Sequence, residues 1–124
     1  MRRLILLAPL AMLAACATVQ DEPVRTVFFT PDSAMLDPAA REVVAGAAGR
    51  AARFPNSRVT VRGYTGPAGE TAANQALARS RAEAVAAELR EAGVAPGRIT
   101  VAARGPVAFE LAPVESRRVE IHFD

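Results

Sequence analysis

Apolar and polar residues alternate in two short segments of the chain, residues 58–64 and 117–123. This period of two is typical of a strand with one buried face, since successive side chains of a strand point to opposite sides of the sheet. Residues 25–30, which are rich in β-branched and aromatic side chains, and residues 99–103 predict two further strands. The predicted inward-facing positions of the alternating segments are Val59, Val61, Val119, Ile121 and Phe123.

Two other segments carry apolar residues at helical spacing. Asp37 followed by Pro38 is typical of a helix start, because Asp caps free N–H groups and Pro lacks the N–H that would need a partner. We therefore predict helices over residues 38–54 and 72–92, with Gly93 ending the second. Their apolar faces are formed by Val44, Ala47, Ala48 and Ala51 in the first helix and by Ala78, Ala82, Val85 and Leu89 in the second.

The resulting order of elements is β-α-β-α-β-β. Strands separated by helices indicate crossover units, in which the helices cover a face of the sheet. The sequence therefore predicts an α/β (α+β) two-layer sandwich, with two helices packed on a mixed four-stranded sheet. A chain of 124 residues suits one such domain.

The beginning of the chain has the three parts of an export signal. Two arginines follow Met1, and an apolar run extends over residues 4–14. That run is shorter than the roughly 20 residues that a membrane-spanning helix needs, but it suits a signal peptide. Small residues come directly before Cys16, as a signal peptidase requires. We therefore expect residues 1–15 to be a signal peptide.

The segment Leu13-Ala14-Ala15-Cys16 resembles the bacterial lipobox, in which the cysteine receives a diacylglycerol and becomes the first residue. We expect lipidation, including palmitate, at Cys16, a lipidated tether over residues 16–24 and a domain over residues 25–124. By resemblance to lipoprotein sorting rules, Ala17 in place of Asp indicates the outer membrane, with the domain facing the periplasm. The alternative is an ordinary signal peptide in which the cysteine occurs by chance.

The net charge of +2 depends on the two arginines of the expected signal peptide. Without them, 13 arginines balance 13 acidic residues, so we expect no nucleic-acid partner. One Cys and one His exclude an internal disulfide, a Cys-based zinc site and a multi-His metal site. We find no Ser/His/Asp set and expect neither an enzyme nor a cofactor; His122 points outward on the last predicted strand and is not expected to be a catalytic base.

An ordered set of polar and glycine residues begins at the end of the strand predicted over residues 58–64, and a second motif, SRRVEI, begins at Ser116. Together they resemble the C-terminal, peptidoglycan-associated domain of the OmpA family, over roughly residues 24–123. The matching positions are Gly63, Tyr64, Thr65, Gly69, Asn74, Leu77, Arg81, Ala82, Val85, Arg117, Arg118 and Val119, with Phe29, Ser33 and Leu36 fitting the opening strand and turn.

The resemblance implies a non-catalytic outer-membrane lipoprotein that tethers the membrane to the cell wall. It implies that a peptidoglycan stem-peptide amino acid, usually meso-diaminopimelate, binds without covalent chemistry. Arg81 would grip a carboxylate bidentately and Arg117 would supply a second cation. Free N–H groups of the glycine-rich loop and helix start would add donors. The expected site residues are Thr65, Gly66, Asn74, Leu77, Arg81 and Arg117.

The chain departs from the family at Gly66, where the family has an Asp that pairs with the ligand ammonium. Loss of one partner of a desolvated charge pair costs about 2–5 kcal/mol, which is roughly a thirty- to several-thousand-fold loss of affinity. Glu70 is a candidate replacement. Ala78 and Ser116 replace a family Ser and Asn. The alternative function is therefore a degenerate module that has lost peptidoglycan binding and interacts with an envelope protein. The alternative role of Arg81 is that of a solvated or ion-paired residue on the helix surface.

Overall fold

The structure, a computed structural model, describes residues 24–108 and 112–124. The expected signal peptide, Cys16 and nearly all of the tether lie outside the described residues. The elements are β1 (Val24–Phe28), α1 (Pro38–Arg53), β2 (Val59–Thr65), α2 (Thr71–Glu91), β3 (Ile99–Pro106) and β4 (Arg118–Phe123), with short 3₁₀ helices at Pro96–Arg98 and Pro113–Ser116.

The four strands form one mixed sheet in the order β1-β4-β2-β3. The last strand of the chain, β4, lies between β1 and β2 and is antiparallel to both, whereas β2 and β3 are parallel. Helix α2 connects the two parallel strands, as a crossover unit requires. The predicted α/β two-layer sandwich of two helices on a mixed four-stranded sheet is confirmed.

The core lies between the helices and one face of the sheet. Alternate residues of β2 and β4 are buried, as the period of two predicts. Asp37 starts α1 as predicted, since its Oδ1 accepts a hydrogen bond of 2.7 Å from the backbone N–H of Ala40. The fully buried side chains include Val59, Val61, Val119 and Ile121 from the sheet and Val44, Val85 and Leu89 from the helices.

Helix α2 approaches β2 closely at Gly63. A Cβ atom added to Gly63 would lie 2.0 Å from the backbone oxygen of Ala78, a distance that no side chain tolerates. Glycine at this position therefore lets the helix rest directly on the strand. This contact fixes where α2 stands relative to the carboxyl end of β2.

The predicted end of one strand is wrong by three residues. The strand predicted over residues 99–103 continues to Pro106, because β2 extends to Thr65 and pairs with it beyond a one-residue register shift after Gly63 and Ala103. A short 3₁₀ helix at Pro113–Ser116 leads into β4. Among the described helices, none combines the length and hydrophobicity that crossing a membrane requires.

Candidate functional site

A cavity of about 440 Å³ opens at the carboxyl end of β2. Its walls come from the turn after β1, the loop between β2 and α2, the first half of α2 and the segment before β4. The structure places all the site residues expected from the sequence on this cavity: Thr65, Gly66, Asn74, Leu77, Arg81 and Arg117.

Arg81 is almost completely buried, with 1% of its surface exposed. Its Nε donates to the backbone oxygen of Ser33 (2.8 Å), its Nη1 to that of Tyr64 (3.2 Å) and its Nη2 to that of Thr30 (3.1 Å). The side chain therefore clamps the turn after β1 to the end of β2. A guanidinium has five N–H groups, so two remain beyond these three bonds.

Arg117 brings a second guanidinium to the cavity. Its Nε donates to the backbone oxygen of Phe29 at 3.0 Å. Within residues 24–108 and 112–124, neither Arg81 nor Arg117 forms an ion pair with an acidic side chain. Burial and the nearby Arg117 charge lower the pKa of Arg81, and Asp32 partly opposes this effect. The cavity thus holds two neighbouring positive charges whose repulsion a bound anion relieves.

Thr65 and Asn74 give the cavity neutral polar groups. Thr65 is 1% exposed, and its hydroxyl has no hydrogen-bond partner in the described part of the chain. A buried hydroxyl without a partner is costly, which makes it available to a ligand. Asn74 Nδ2 donates to the backbone oxygen of Ala68 at 2.9 Å and so holds the glycine-rich loop at the cavity rim.

The backbone at Gly66 does not itself require glycine. Its φ lies outside the left-handed region, and an added Cβ would lie 3.2 Å from Ser116 Oγ, a contact relieved by a small movement. Ser116 Oγ donates to the backbone oxygen of Pro113 at 2.8 Å. Glu70, the candidate replacement for the family Asp, is exposed at the N-terminal cap of α2 and is not part of the cavity wall.

Asp32 lines the cavity and was not identified from the sequence. It lies in a turn over residues 30–33, closed by a 3.3 Å hydrogen bond from the N–H of Ser33 to the oxygen of Thr30. Pro31 and a φ of 53° at Asp32 make this a type II turn. The family resemblance placed Ser33 in a turn, but only the tertiary structure shows that this turn forms a wall of the site.

His122 lies on the sheet face opposite the helices, as predicted. Its Nε2 is 2.9 Å from Glu120 Oε2, and Arg118 Nε donates to Glu120 Oε1 at 2.9 Å. Burial raises the pKa of Glu120, but the hydrogen bonds from His122 and Arg118 outweigh it and lower the pKa below the ordinary value. Burial and the Glu120 charge raise the pKa of Tyr64, whose hydroxyl donates to Glu120 at 3.3 Å. Of these residues, only Tyr64 forms a hydrogen bond with the Arg81 guanidinium in the described part of the chain, and it accepts through its backbone oxygen.

Comparison with known proteins identifies the family and the fold. A sequence profile described as the OmpA family matches residues 28–111, more than half of the chain. The chain belongs to the OmpA family. The family resemblance inferred from the ordered motif is thereby confirmed.

Curated relatives support the same assignment. An outer membrane protein of Gluconacetobacter diazotrophicus is 38% identical over 114 residues, covering 80% of this chain and 30% of that protein. The peptidoglycan-binding protein ArfA of Mycobacterium tuberculosis is 36% identical over 101 residues, covering 77% and 31%. The probable lipoprotein YiaD of Escherichia coli is 34% identical over 101 residues, covering 77% and 46%. The chain therefore spans less than half of the length of each of these relatives.

Solved structures share the OmpA-family fold. The peptidoglycan-associated lipoprotein of Burkholderia pseudomallei superposes with a TM-score of 0.74 at 24% identity, covering 81% of this chain and 90% of that one. A periplasmic domain of Helicobacter pylori MotB gives a TM-score of 0.70 at 21% identity, covering 82% and 81%. At these identities the likeness establishes the fold.

Proposed function

We propose that this OmpA-family domain binds peptidoglycan non-covalently, by holding a free carboxylate of a stem-peptide amino acid in the cavity at the end of β2. The observation that carries the proposal is the pair of guanidinium groups, Arg81 and Arg117, that line one cavity without an acidic partner in the described residues. A relative named as a peptidoglycan-binding protein supports the same ligand class.

The cavity has separate groups for the parts of such a ligand. The two guanidiniums attract the carboxylate, and a hydrogen bond from a charged donor contributes about 1.5–3 kcal/mol. The Thr65 hydroxyl, which has no other partner in the described residues, adds a neutral hydrogen bond. Leu77 contributes an apolar surface for the methylene groups of a diamino acid. The arrangement binds and orients a ligand, and no reaction follows from it.

We further propose that the chain is attached to the outer membrane through lipid on Cys16, with residues 16–24 as a tether and the domain in the periplasm. The lipobox resemblance and a relative named as a probable lipoprotein support this arrangement. Labelling with a palmitate analogue tests it. We expect label on the wild-type chain and none on Cys16→Ala, and label on both would refute lipidation at this cysteine.

Co-sedimentation of the purified chain with isolated sacculi tests the binding proposal. We expect the wild type to sediment and Arg117→Ala to lose most of this binding, because one of the two cavity cations is removed. Arg79→Ala is the matched control, since Arg79 is exposed on α2 and its loss changes the net charge equally. Equal sedimentation of Arg117→Ala and Arg79→Ala would contradict the proposal.

Gly66 favours a second candidate, a degenerate module that binds an envelope protein. A domain that has lost wall binding would not sediment with sacculi, and Gly66→Asp would restore binding. The backbone at Gly66 accepts a side chain with only a small movement of Ser116, so this variant is a fair test.

A further inference from the structure

A stem-peptide diamino acid carries an ammonium group as well as a carboxylate, and the ammonium needs an anionic partner once it leaves water. Position 66, next to the buried Thr65, is a glycine and supplies no acid. The following argument rests on the proposed function, and asks which residue of this chain takes the ammonium.

Asp32 is the only acidic side chain among the described residues that line the cavity. Its carboxylate forms no ion pair or hydrogen bond within residues 24–108 and 112–124. The Asp32 charge acts on Arg81, so both charges belong to one electrostatic site. The cavity therefore has cations for the carboxylate of such a ligand and one anion for its ammonium.

The turn that carries Asp32 is held in place from both sides. Arg81 donates to the backbone oxygens of Thr30 and Ser33, which flank Pro31 and Asp32. Pro31 restricts its own φ, and the type II turn then requires a positive φ at the next residue. Glycine is the usual residue at that position, but here the position holds Asp32, a residue type that tolerates the left-handed conformation. The turn thus presents a carboxylate on a fixed backbone.

We propose that Asp32 pairs with the ligand ammonium and takes over the role that an acid at position 66 would otherwise have. The carboxylate of the ligand lies with Arg81 and Arg117, and its ammonium lies with Asp32. The site is then selective for an amino-acid centre over a simple carboxylic acid.

The test compares meso-diaminopimelate with pimelate, which has the same carbon chain and both carboxylates but no amino group. Both are titrated by NMR into the full chain purified in detergent. Asp32→Asn removes the charge and keeps the shape, and Asn accepts a positive φ readily. Asp124→Asn is the matched control, because Asp124 is exposed and follows the end of β4 that is remote from the cavity.

We expect the wild type and Asp124→Asn to bind diaminopimelate at least tenfold more tightly than pimelate. Asp32→Asn should lower this ratio to near one while its affinity for pimelate is kept or increased, and Asp32→Asn with Gly66→Asp should restore the preference. An unchanged ratio in Asp32→Asn, or equal binding of the two compounds by the wild type, overturns the role of Asp32 and leaves carboxylate binding intact. Binding of neither compound by the wild type overturns both proposals.

Discussion

Replacement of Arg81 by alanine is expected to destabilise the fold, quite apart from any effect on a ligand. The side chain is buried and donates three hydrogen bonds to backbone oxygens of two separate segments. Because Thr30 is exposed, water can replace the bond to its oxygen. The bonds to Ser33 and Tyr64 are lost in full, and at about 1.5–3 kcal/mol each they give a loss of about 3–6 kcal/mol in the free energy of unfolding.

Thermal unfolding followed by circular dichroism measures this loss. For a domain of this size, 1 kcal/mol corresponds to roughly 4–8 °C, so Arg81→Ala should melt at least about 12 °C below the wild type. Arg81→Lys should fall between them, since an ammonium keeps the charge but has no planar fork to span the two segments. The control Arg79→Ala should stay within about 0.5 kcal/mol of the wild type. Melting of Arg81→Ala within about 4 °C of the wild type would show that the three hydrogen bonds do not clamp the turn.

Three further predictions follow from the described contacts. Gly63→Ala should destabilise the domain by about 3 kcal/mol or more in urea unfolding, because the added Cβ meets a backbone oxygen of α2. The control Gly49→Ala has no atom within 4 Å of its added Cβ and should stabilise helix α1 by about 0.5–1 kcal/mol. An unchanged free energy of unfolding in Gly63→Ala would contradict the close approach of α2 to β2. Thr65→Val should weaken binding of diaminopimelate without lowering the melting temperature, since the hydroxyl has no partner in the described residues; equal affinity would exclude it from the site. The pKa of Glu120 is lowered from its ordinary value of 4.5, so the charged carboxylate stabilises the fold above that pH, and this stabilisation is lost as the pH falls through the lowered pKa. Melting temperatures should therefore drop more steeply below about pH 4.5 in the wild type than in Glu120→Gln. Parallel profiles of melting temperature against pH would refute this.

The sequence was sufficient where local rules decide the structure. The alternation around Val61 and Ile121 identified the buried face of the sheet, and Asp37 with Pro38 identified the start of α1. The ordered motif also indicated which residues meet at one cavity, because a family resemblance carries tertiary information. Arg81 was expected to face a ligand, and its burial beneath three backbone oxygens was not foreseen.

The remaining features depend on contacts between distant residues. Arg81 and Thr30 are 51 positions apart, so no local pattern reveals that one clamps the other. Asp32 joins the cavity for the same reason, since its turn is brought to the end of β2 only by the tertiary fold. The extension of β3 to Pro106 likewise depends on its parallel neighbour, because the hydrogen bonds that make it a strand come from β2.

The central place of β4 in the sheet has a consequence for biosynthesis. The first strand pairs with β4 and with no other described strand, and β2 gains its antiparallel neighbour from the same segment. The sheet therefore stays divided until β4 has reached the compartment in which the domain folds. A chain that stops before Arg118 keeps β2 and β3 as a pair but leaves β1 with no neighbour. Early termination should thus yield a protease-sensitive product instead of a slightly weakened domain.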